Sequence, residues 1–125
     1  MTNRILIVED TPIVREPMAC LLRNEGYEVV SAANGVDALA SLETKPVDLV
    51  LLDVLMPKMN GVTFLENFRA NPRYSDVPVI AVTGVLDSTW LLRLRELDVR
   101  TVINKGRFEV DALLEEVHRH LPQAA

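Results

Sequence analysis

The stretch Asp48-Leu49-Val50-Leu51-Leu52-Asp53 decides the fold of this chain and indicates where its chemistry lies. Four consecutive apolar residues stand between two acids, and such a run is typical of a strand that is buried on both faces of a parallel sheet. The turn-like residues Met56-Pro57-Lys58-Met59-Asn60-Gly61 follow almost directly. The strand is therefore predicted to deliver the carboxylate of Asp53 at its C-terminal end.

Three other apolar runs end on polar side chains in the same way. Ile5–Val8 leads into Glu9 and Asp10, Val79–Val82 leads into Thr83, and Val102–Asn104 leads into Lys105. In an open parallel α/β sheet, ligands bind at the carboxyl ends of the strands. Three acids, a hydroxyl and an ammonium group are therefore expected at one edge of the sheet.

The bulk composition indicates one globular domain. A length of 125 residues suits a single domain, and a hydrophobic share of 49% is enough for one core. The net charge of -5 and the lack of any run of Lys or Arg argue against nucleic-acid binding by this chain. We expect one domain over residues 1–125, with residues 121–125 as a tail or the stub of a linker.

Cysteine usage and hydropathy favour a cytoplasmic protein that does not contact the membrane. Cys20 is the only cysteine, so no internal disulfide can form, which suits a reducing compartment. No signal peptide is visible, and no apolar run approaches the length of a membrane span. Cys20 itself is predicted to be buried on the apolar side of a helix.

Strand-like and helix-like segments alternate along the whole chain. The predicted strands are 4–8, 27–32, 47–52, a fourth that begins at Pro78, and 101–104. The first two predicted helices run from Thr11 to about Gly26 and from Asn34-Gly35 to just before Pro46. The other three are 61–70, about 87–97 and about 108–121. This (βα)₅ pattern favours helices on both faces of the sheet. The predicted fold is a flavodoxin-like, doubly wound α/β domain whose five parallel strands have the order 2-1-3-4-5.

Several details of the helices follow from particular residues. Thr11 and Pro12 are typical of a helix start, whereas Pro17 predicts either a kink or a later start, because an internal proline removes a backbone hydrogen bond. Helical spacing places Ile13, Val36 and Val110 among the residues that face the core.

The predicted cluster of acids restricts the chemistry. Glu9, Asp10 and Asp53 repel one another unless a cation lies among them or one acid carries a proton. Because no His or Cys is near these acids in the predicted arrangement, all the ligands would be oxygen atoms, which favour Mg²⁺ or Mn²⁺ over zinc or copper. Lys105 and Thr83 suit the oxygens of a phosphoryl group, and a carboxylate can itself act as nucleophile to form an acyl phosphate. The arrangement predicts phosphoryl transfer to an aspartate.

The chain resembles the receiver domains of bacterial response regulators over essentially its whole length. The resemblance rests on Ile5-Leu6-Ile7-Val8-Glu9-Asp10, on Asp53-Val54-Leu55-Met56-Pro57-Lys58-Met59-Asn60-Gly61, on Val82-Thr83-Gly84 and on Lys105. It implies a domain that catalyses only its own phosphorylation and dephosphorylation, and is otherwise not an enzyme. A sensor histidine kinase or a histidine phosphotransfer protein would be the donor.

The same resemblance assigns roles to single residues. Asp53 would accept the phosphoryl group, and Thr83 and Lys105 would hold its oxygens. Asp10, Asp53 and the backbone carbonyl of Leu55 would bind Mg²⁺, with Glu9 helping through water. The surface made by the fourth helix, the last strand and the last helix would switch, and would contact an output partner or a second copy.

Four positions depart from the family pattern. Gly106 stands where a proline usually follows the lysine, and Val102 stands where the family has an aromatic switch residue. Asp98 and Val99 occupy positions where Gly-Ala is common; if Asp98 needs a positive φ, the conformation carries some cost.

Val102 and Gly106 leave a second interpretation open, a degenerate receiver that acts as an interaction module and no longer switches. A phosphohydrolase of the haloacid-dehalogenase type is a third alternative, but it normally needs a general acid two residues after the nucleophile, and that position is Leu55.

Overall fold

A computed structural model describes residues 3–54, 60–84, 88–99, 101–104 and 110–121. Its strands are β1 (Arg4–Val8), β2 (Glu28–Ala32), β3 (Leu49–Leu52), β4 (Val79–Thr83) and β5 (Thr101–Asn104). Its helices are α1 (Pro12–Asn24), α2 (Gly35–Leu42), α3 (Gly61–Ala70), α4 (Ser88–Glu96) and α5 (Val110–His120), and a 3-10 turn lies at Pro72–Tyr74.

All the strand pairings are parallel, and the order of the sheet is β2-β1-β3-β4-β5. The predicted flavodoxin-like fold is therefore confirmed. Val8 is in register with Leu52, and Leu52 is in register with Ala81. This register aligns the ends of β1, β3 and β4, so that the residues that follow them meet at one edge.

The core consists of two layers, one on each face of the sheet. Alternate strand residues such as Leu6 and Val8 pack with α2, α3 and α4, whereas Ile5 and Ile7 pack with α1 and α5. All four of these side chains are at most 1% exposed. The unbroken apolar composition of the central strands follows from this burial on both faces.

Helix α1 corrects two predictions. It begins at Pro12 and continues through Pro17, so a delayed start is wrong; Thr11 occupies the N-cap position, but its side chain makes no capping hydrogen bond. Cys20 is exposed, not buried. The core-facing side of α1 is formed by Met18, Ala19 and Leu22, and Cys20 is turned away from this side.

Three apolar side chains that were predicted to face the core are exposed: Ile13 by 82%, Val36 by 49% and Val110 by 46%. All three lie in the first turn of their helices, at the end where the strands also finish. In α2 the buried positions are taken by Gly35 and Ala38. Periodicity alone assigned these residues to the core because it does not show where the sheet ends.

Candidate functional site

Two acidic side chains are brought together by the pairing of β1 with β3. The backbone N–H of Asp53 donates to Val8 O at 2.9 Å, and that of Glu9 donates to Ala32 O at 3.0 Å. The sheet ladder therefore extends one residue beyond each strand and fixes the backbone of both acids. Glu9 is only 3% exposed and Asp53 only 6% exposed.

Asp10 completes a cluster of three carboxylates. One carboxylate oxygen from each of Glu9, Asp10 and Asp53 lies within 4.8 Å of the others. Unit negative charges at such distances repel one another by several kcal/mol at about 4 Å in the environment of a protein surface. A divalent cation that prefers oxygen ligands would remove this repulsion, so the donor set fits Mg²⁺. The predicted convergence of the three acids is confirmed.

Arg15 is a neighbour of the site that the sequence did not reveal. Its guanidinium group donates to the backbone carbonyl of Glu9 at 2.7 Å, and its side chain is only 15% exposed. The bond holds the turn between β1 and α1, and the guanidinium group also pairs with Glu16 at 3.5 Å. In the sequence, Arg15 is visible only as a basic residue one helical turn after Thr11, and basic residues at such positions are usually exposed to solvent.

Gly61 packs against the backbone of Asp53 and Val54, just after the end of β3. Its N–H donates to Val54 O at 2.7 Å, and a Cβ atom at this position would lie 2.7 Å from Val54 Cα and 2.9 Å from Asp53 O. Only glycine allows α3 to begin so close to the backbone of Asp53. The side chain of Asn60 accepts from Thr63 N at 2.9 Å and caps this helix.

The remaining predicted site residues are only partly placed. Thr83 is the last residue of β4 and is in register with Asn104, the last residue of β5. Thr83 therefore lies at the edge that carries Asp53, and Lys105 follows Asn104 directly in the sequence. The side chain of Thr83, together with Leu55, Lys105 and Gly106, lies outside the described residues.

Three of the four residues that depart from the family pattern, Val102, Asp98 and Val99, lie within the described part. Val102 is partly buried and packs against the core layer of α2, α3 and α4. Asp98 has a φ of 63°. The backbone at this position therefore has the positive φ that was considered in the sequence analysis. A non-glycine residue in this region is uncommon, although Asp tolerates it better than most.

An apolar groove of about 380 Å³ opens beside the acids, between α1 and the beginning of α5. It is lined by Ile13, Val14, Pro17, Met18, Leu21, Val82 and Val110. A much smaller cavity shares Val14, Met18 and Val82 and is also lined by Glu9 and Asp53. The groove therefore adjoins the acidic cluster, and the exposed Ile13 and Val110 form part of its wall.

Comparison with known proteins gives one consistent result. A sequence model of the response regulator receiver domain matches residues 5–118. The sensory transduction protein RegX3 of Mycolicibacterium smegmatis is 44% identical over 80 residues, which are 64% of this chain and 34% of that protein. The gliding motility regulatory protein of Myxococcus xanthus is 28% identical over 93% of this chain and 15% of its own length.

Solved structures agree with the sequence comparison. The chemotaxis protein CheY4 of Vibrio cholerae has a TM-score of 0.90 at 27% identity, with 97% of this chain and 100% of that chain covered. Response regulator TrrA of Thermotoga maritima, in complex with Mg²⁺ and BeF, has a TM-score of 0.81 at 33% identity, with the same coverage.

The chain spans about a third or less of the curated relatives named above. Among the described residues, no helix has both the length and the hydropathy that a membrane span requires.

Proposed function

Because this chain belongs to the response regulator receiver domain family, we propose that it accepts a phosphoryl group on Asp53 from a phosphohistidine donor. Receiver domains are regulatory and are not enzymes that turn over a separate substrate. The observation that carries the proposal is the convergence of Glu9, Asp10 and Asp53 within 4.8 Å at the carboxyl edge of the sheet.

The reaction is a transfer between two nucleophiles. A carboxylate oxygen of Asp53 attacks the phosphorus, the bond between phosphorus and the imidazole nitrogen of the donor breaks, and the electron pair of that bond returns to the nitrogen. The product is an acyl phosphate on Asp53. The burial of Asp53 and its fixed backbone supply the positioning on which phosphoryl transfer mainly depends.

The oxygen-rich site fits a magnesium ion. Asp10 and Asp53, the carbonyl of Leu55 and, through water, Glu9 would hold the ion. When bound, Mg²⁺ neutralises the charge of the acids and of the phosphoryl oxygens. The structure of TrrA, which is 33% identical to this chain, is a complex with Mg²⁺ and BeF and supports the assignment.

Thr83 and Lys105 are proposed to hold the phosphoryl oxygens. Their support is their place in the chain: Thr83 ends β4, and Lys105 follows the residue that pairs with it. A hydroxyl donor and an ammonium group suit these oxygens.

The donor is proposed to be a sensor histidine kinase or a histidine phosphotransfer protein in the cytoplasm, where the exposed thiol of Cys20 stays reduced. The groove beside the acids gives such a donor an apolar surface next to Asp53.

The surface of α4, β5 and α5 is proposed to transmit the signal to an output partner or a second copy. Leu92, which lies on α4, is 61% exposed and forms part of this surface.

Intact-mass measurement after incubation with Mg²⁺ and acetyl phosphate tests the central step. The wild-type chain should gain the mass of one phosphoryl group, and Asp53→Asn should gain none. Asp48→Asn changes an acid at the other end of the same strand and is the matched control, which should be labelled as wild type. Absence of labelling in the wild type, or labelling that persists in Asp53→Asn, would overturn the proposal.

The degenerate receiver is the second candidate, and the observation that favours it is Val102. This small, partly buried side chain replaces the switch aromatic. Backbone amide NMR with beryllofluoride distinguishes the two candidates. Shifts at Asp53 that do not spread to Gly84 and α4 would favour an interaction module, whereas shifts through Gly84 and the first half of α4 would favour the switch.

A further inference from the structure

Arg69, in the last turn of α3, joins three parts of the structure. Its Nε donates to Leu97 O at 2.9 Å and its Nη2 to Asp98 O at 3.4 Å, both in the turn that follows α4. Its Nη1 donates to the carbonyl oxygens of Tyr74 at 2.8 Å, Ser75 at 3.3 Å and Val77 at 2.6 Å, in the segment before β4. One guanidinium group thus serves five backbone carbonyls.

The turn that Arg69 holds is the C-terminal end of α4. Asp98 N–H donates to Arg95 O at 3.0 Å and Val99 N–H donates to Leu94 O at 2.9 Å. With the left-handed conformation of Asp98, these bonds form a Schellman motif. Leu94 and Val99, which are 1% and 3% exposed, bury its apolar contact. The motif usually has glycine where Asp98 stands, so the turn needs additional stabilisation.

The charge of Arg69 suits this position. The carbonyls at the end of a helix carry a partial negative charge, and a cation that donates to them stabilises the end of the helix. Burial lowers the pKa of the guanidinium group, while the charges of Asp98 and Asp76 act in the opposite direction. Arg93 of α4 also pairs with Glu66 of α3 at 2.7 Å, but both side chains are exposed, so this link is weak.

Gly84, just after β4, has a different environment: it is exposed, and a Cβ atom there would meet no atom of the described residues within 4 Å. We propose that Arg69 anchors the C-terminal end of α4 to α3 and to the segment before β4, so that rearrangement caused by a phosphoryl group at Asp53 is confined to Gly84 and the N-terminal half of α4. The second part of this inference rests on the proposed function, but the anchor itself does not.

Hydrogen exchange in the unmodified protein tests the anchor. Arg69→Met should increase the exchange rates of the amides of Leu97, Asp98 and Val99 by roughly tenfold or more relative to the amides of β1 and β3, as expected when a set of hydrogen bonds is lost. Arg69→Lys keeps the charge but not the planar fork, and should give an intermediate rate. Arg73→Met removes an exposed arginine of the neighbouring turn and should leave the three amides unchanged.

Unchanged exchange at 97–99 in Arg69→Met would overturn the anchor, as would an equal increase in every amide. Should Arg69→Met fail to fold, Arg69→Lys gives the same comparison.

Beryllofluoride titration of the full chain tests the confinement. In the wild type, shifts should appear at Gly84 and the first half of α4 and should be small at 97–99; in Arg69→Met they should extend through 97–99. Large shifts at 97–99 in the wild type, or the same pattern in both proteins, would overturn the inference. If beryllofluoride causes no shift anywhere, the proposed phosphoacceptor role fails, and the exchange rates still decide the anchor.

Discussion

The N–H of Gly61 donates to Val54 O at 2.7 Å, which is the contact that starts α3 directly beside the backbone of Asp53. Any Cβ at Gly61 would lie 2.7 Å from Val54 Cα, a separation that cannot be relieved by moving a flexible side chain. The contact links the geometry of the acidic site to the stability of the fold.

We therefore expect Gly61→Ala to lower the free energy of unfolding by about 1–3 kcal/mol, the usual cost of forcing extra volume into a packed site. Urea unfolding measures this difference. Gly84→Ala is the matched control, because a Cβ there meets no atom of the described part of the chain within 4 Å. Its stability should be unchanged or raised by up to about 1 kcal/mol, since alanine restricts the unfolded chain. Equal effects of the two substitutions would contradict the prediction.

The carboxylate cluster predicts a specific loss of metal binding. Asp10→Asn removes one of three acids that lie within 4.8 Å of one another, so the affinity for Mg²⁺ should fall by roughly tenfold or more, because the ion prefers charged oxygen ligands. Isothermal titration calorimetry measures the change. Glu115→Gln, an equal loss of charge on the exposed face of α5, should leave the affinity unchanged. Similar losses in both variants would indicate a general effect of net charge.

The fold could be predicted because the determining features are local. Each central strand is an unbroken apolar run with a polar residue at its end, and this pattern defines both the parallel sheet and the edge that binds ligands. Glu9, Asp10 and Asp53 converge as predicted, because the carboxyl ends of neighbouring parallel strands lie at the same edge of the sheet.

The errors concern residues whose environment depends on distant parts of the chain. Ile13, Val36 and Val110 have apolar side chains at helical spacing, but the first turns of their helices are not covered. Arg15 and Arg69 donate to backbone carbonyls, and no pattern of residue types indicates such partners. The sequence identified Asp98 as a departure, but the guanidinium group that holds its turn became visible only in three dimensions.

Ile13 offers a test of the donor surface. It is 82% exposed and lines the groove beside Asp53, so Ile13→Asp should slow transfer from a phosphorylated histidine phosphotransfer protein by roughly tenfold or more, as for a buried apolar contact of an interface. Labelling by acetyl phosphate should be unchanged, since this small donor needs no docking surface. Leu92→Asp, also exposed but on α4, is the control and should transfer at the rate of the wild type. A matching loss in the acetyl phosphate reaction would show damage to the site itself.

Tyr27 links the end of α5 to the beginning of β2 and predicts a dependence of stability on pH. Its hydroxyl donates to Leu121 O at 3.0 Å, and the residue is 3% exposed. Tyr27→Phe should therefore lower the free energy of unfolding by about 1 kcal/mol at neutral pH.

Burial, and to a lesser degree the charge of Glu25, raises the pKa of Tyr27 above its ordinary value of 10.0. A raised pKa in the folded state means that the unfolded chain loses this proton first. The contribution of Tyr27 is thus fully present below pH 10.0 and is lost as the pH rises towards the folded pKa. In urea unfolding at increasing pH, the advantage of the wild type over Tyr27→Phe should be constant up to about pH 9 and should shrink above pH 10, where a buried tyrosinate would be disfavoured. An advantage that stays constant at higher pH would show that burial does not oppose ionisation of this hydroxyl.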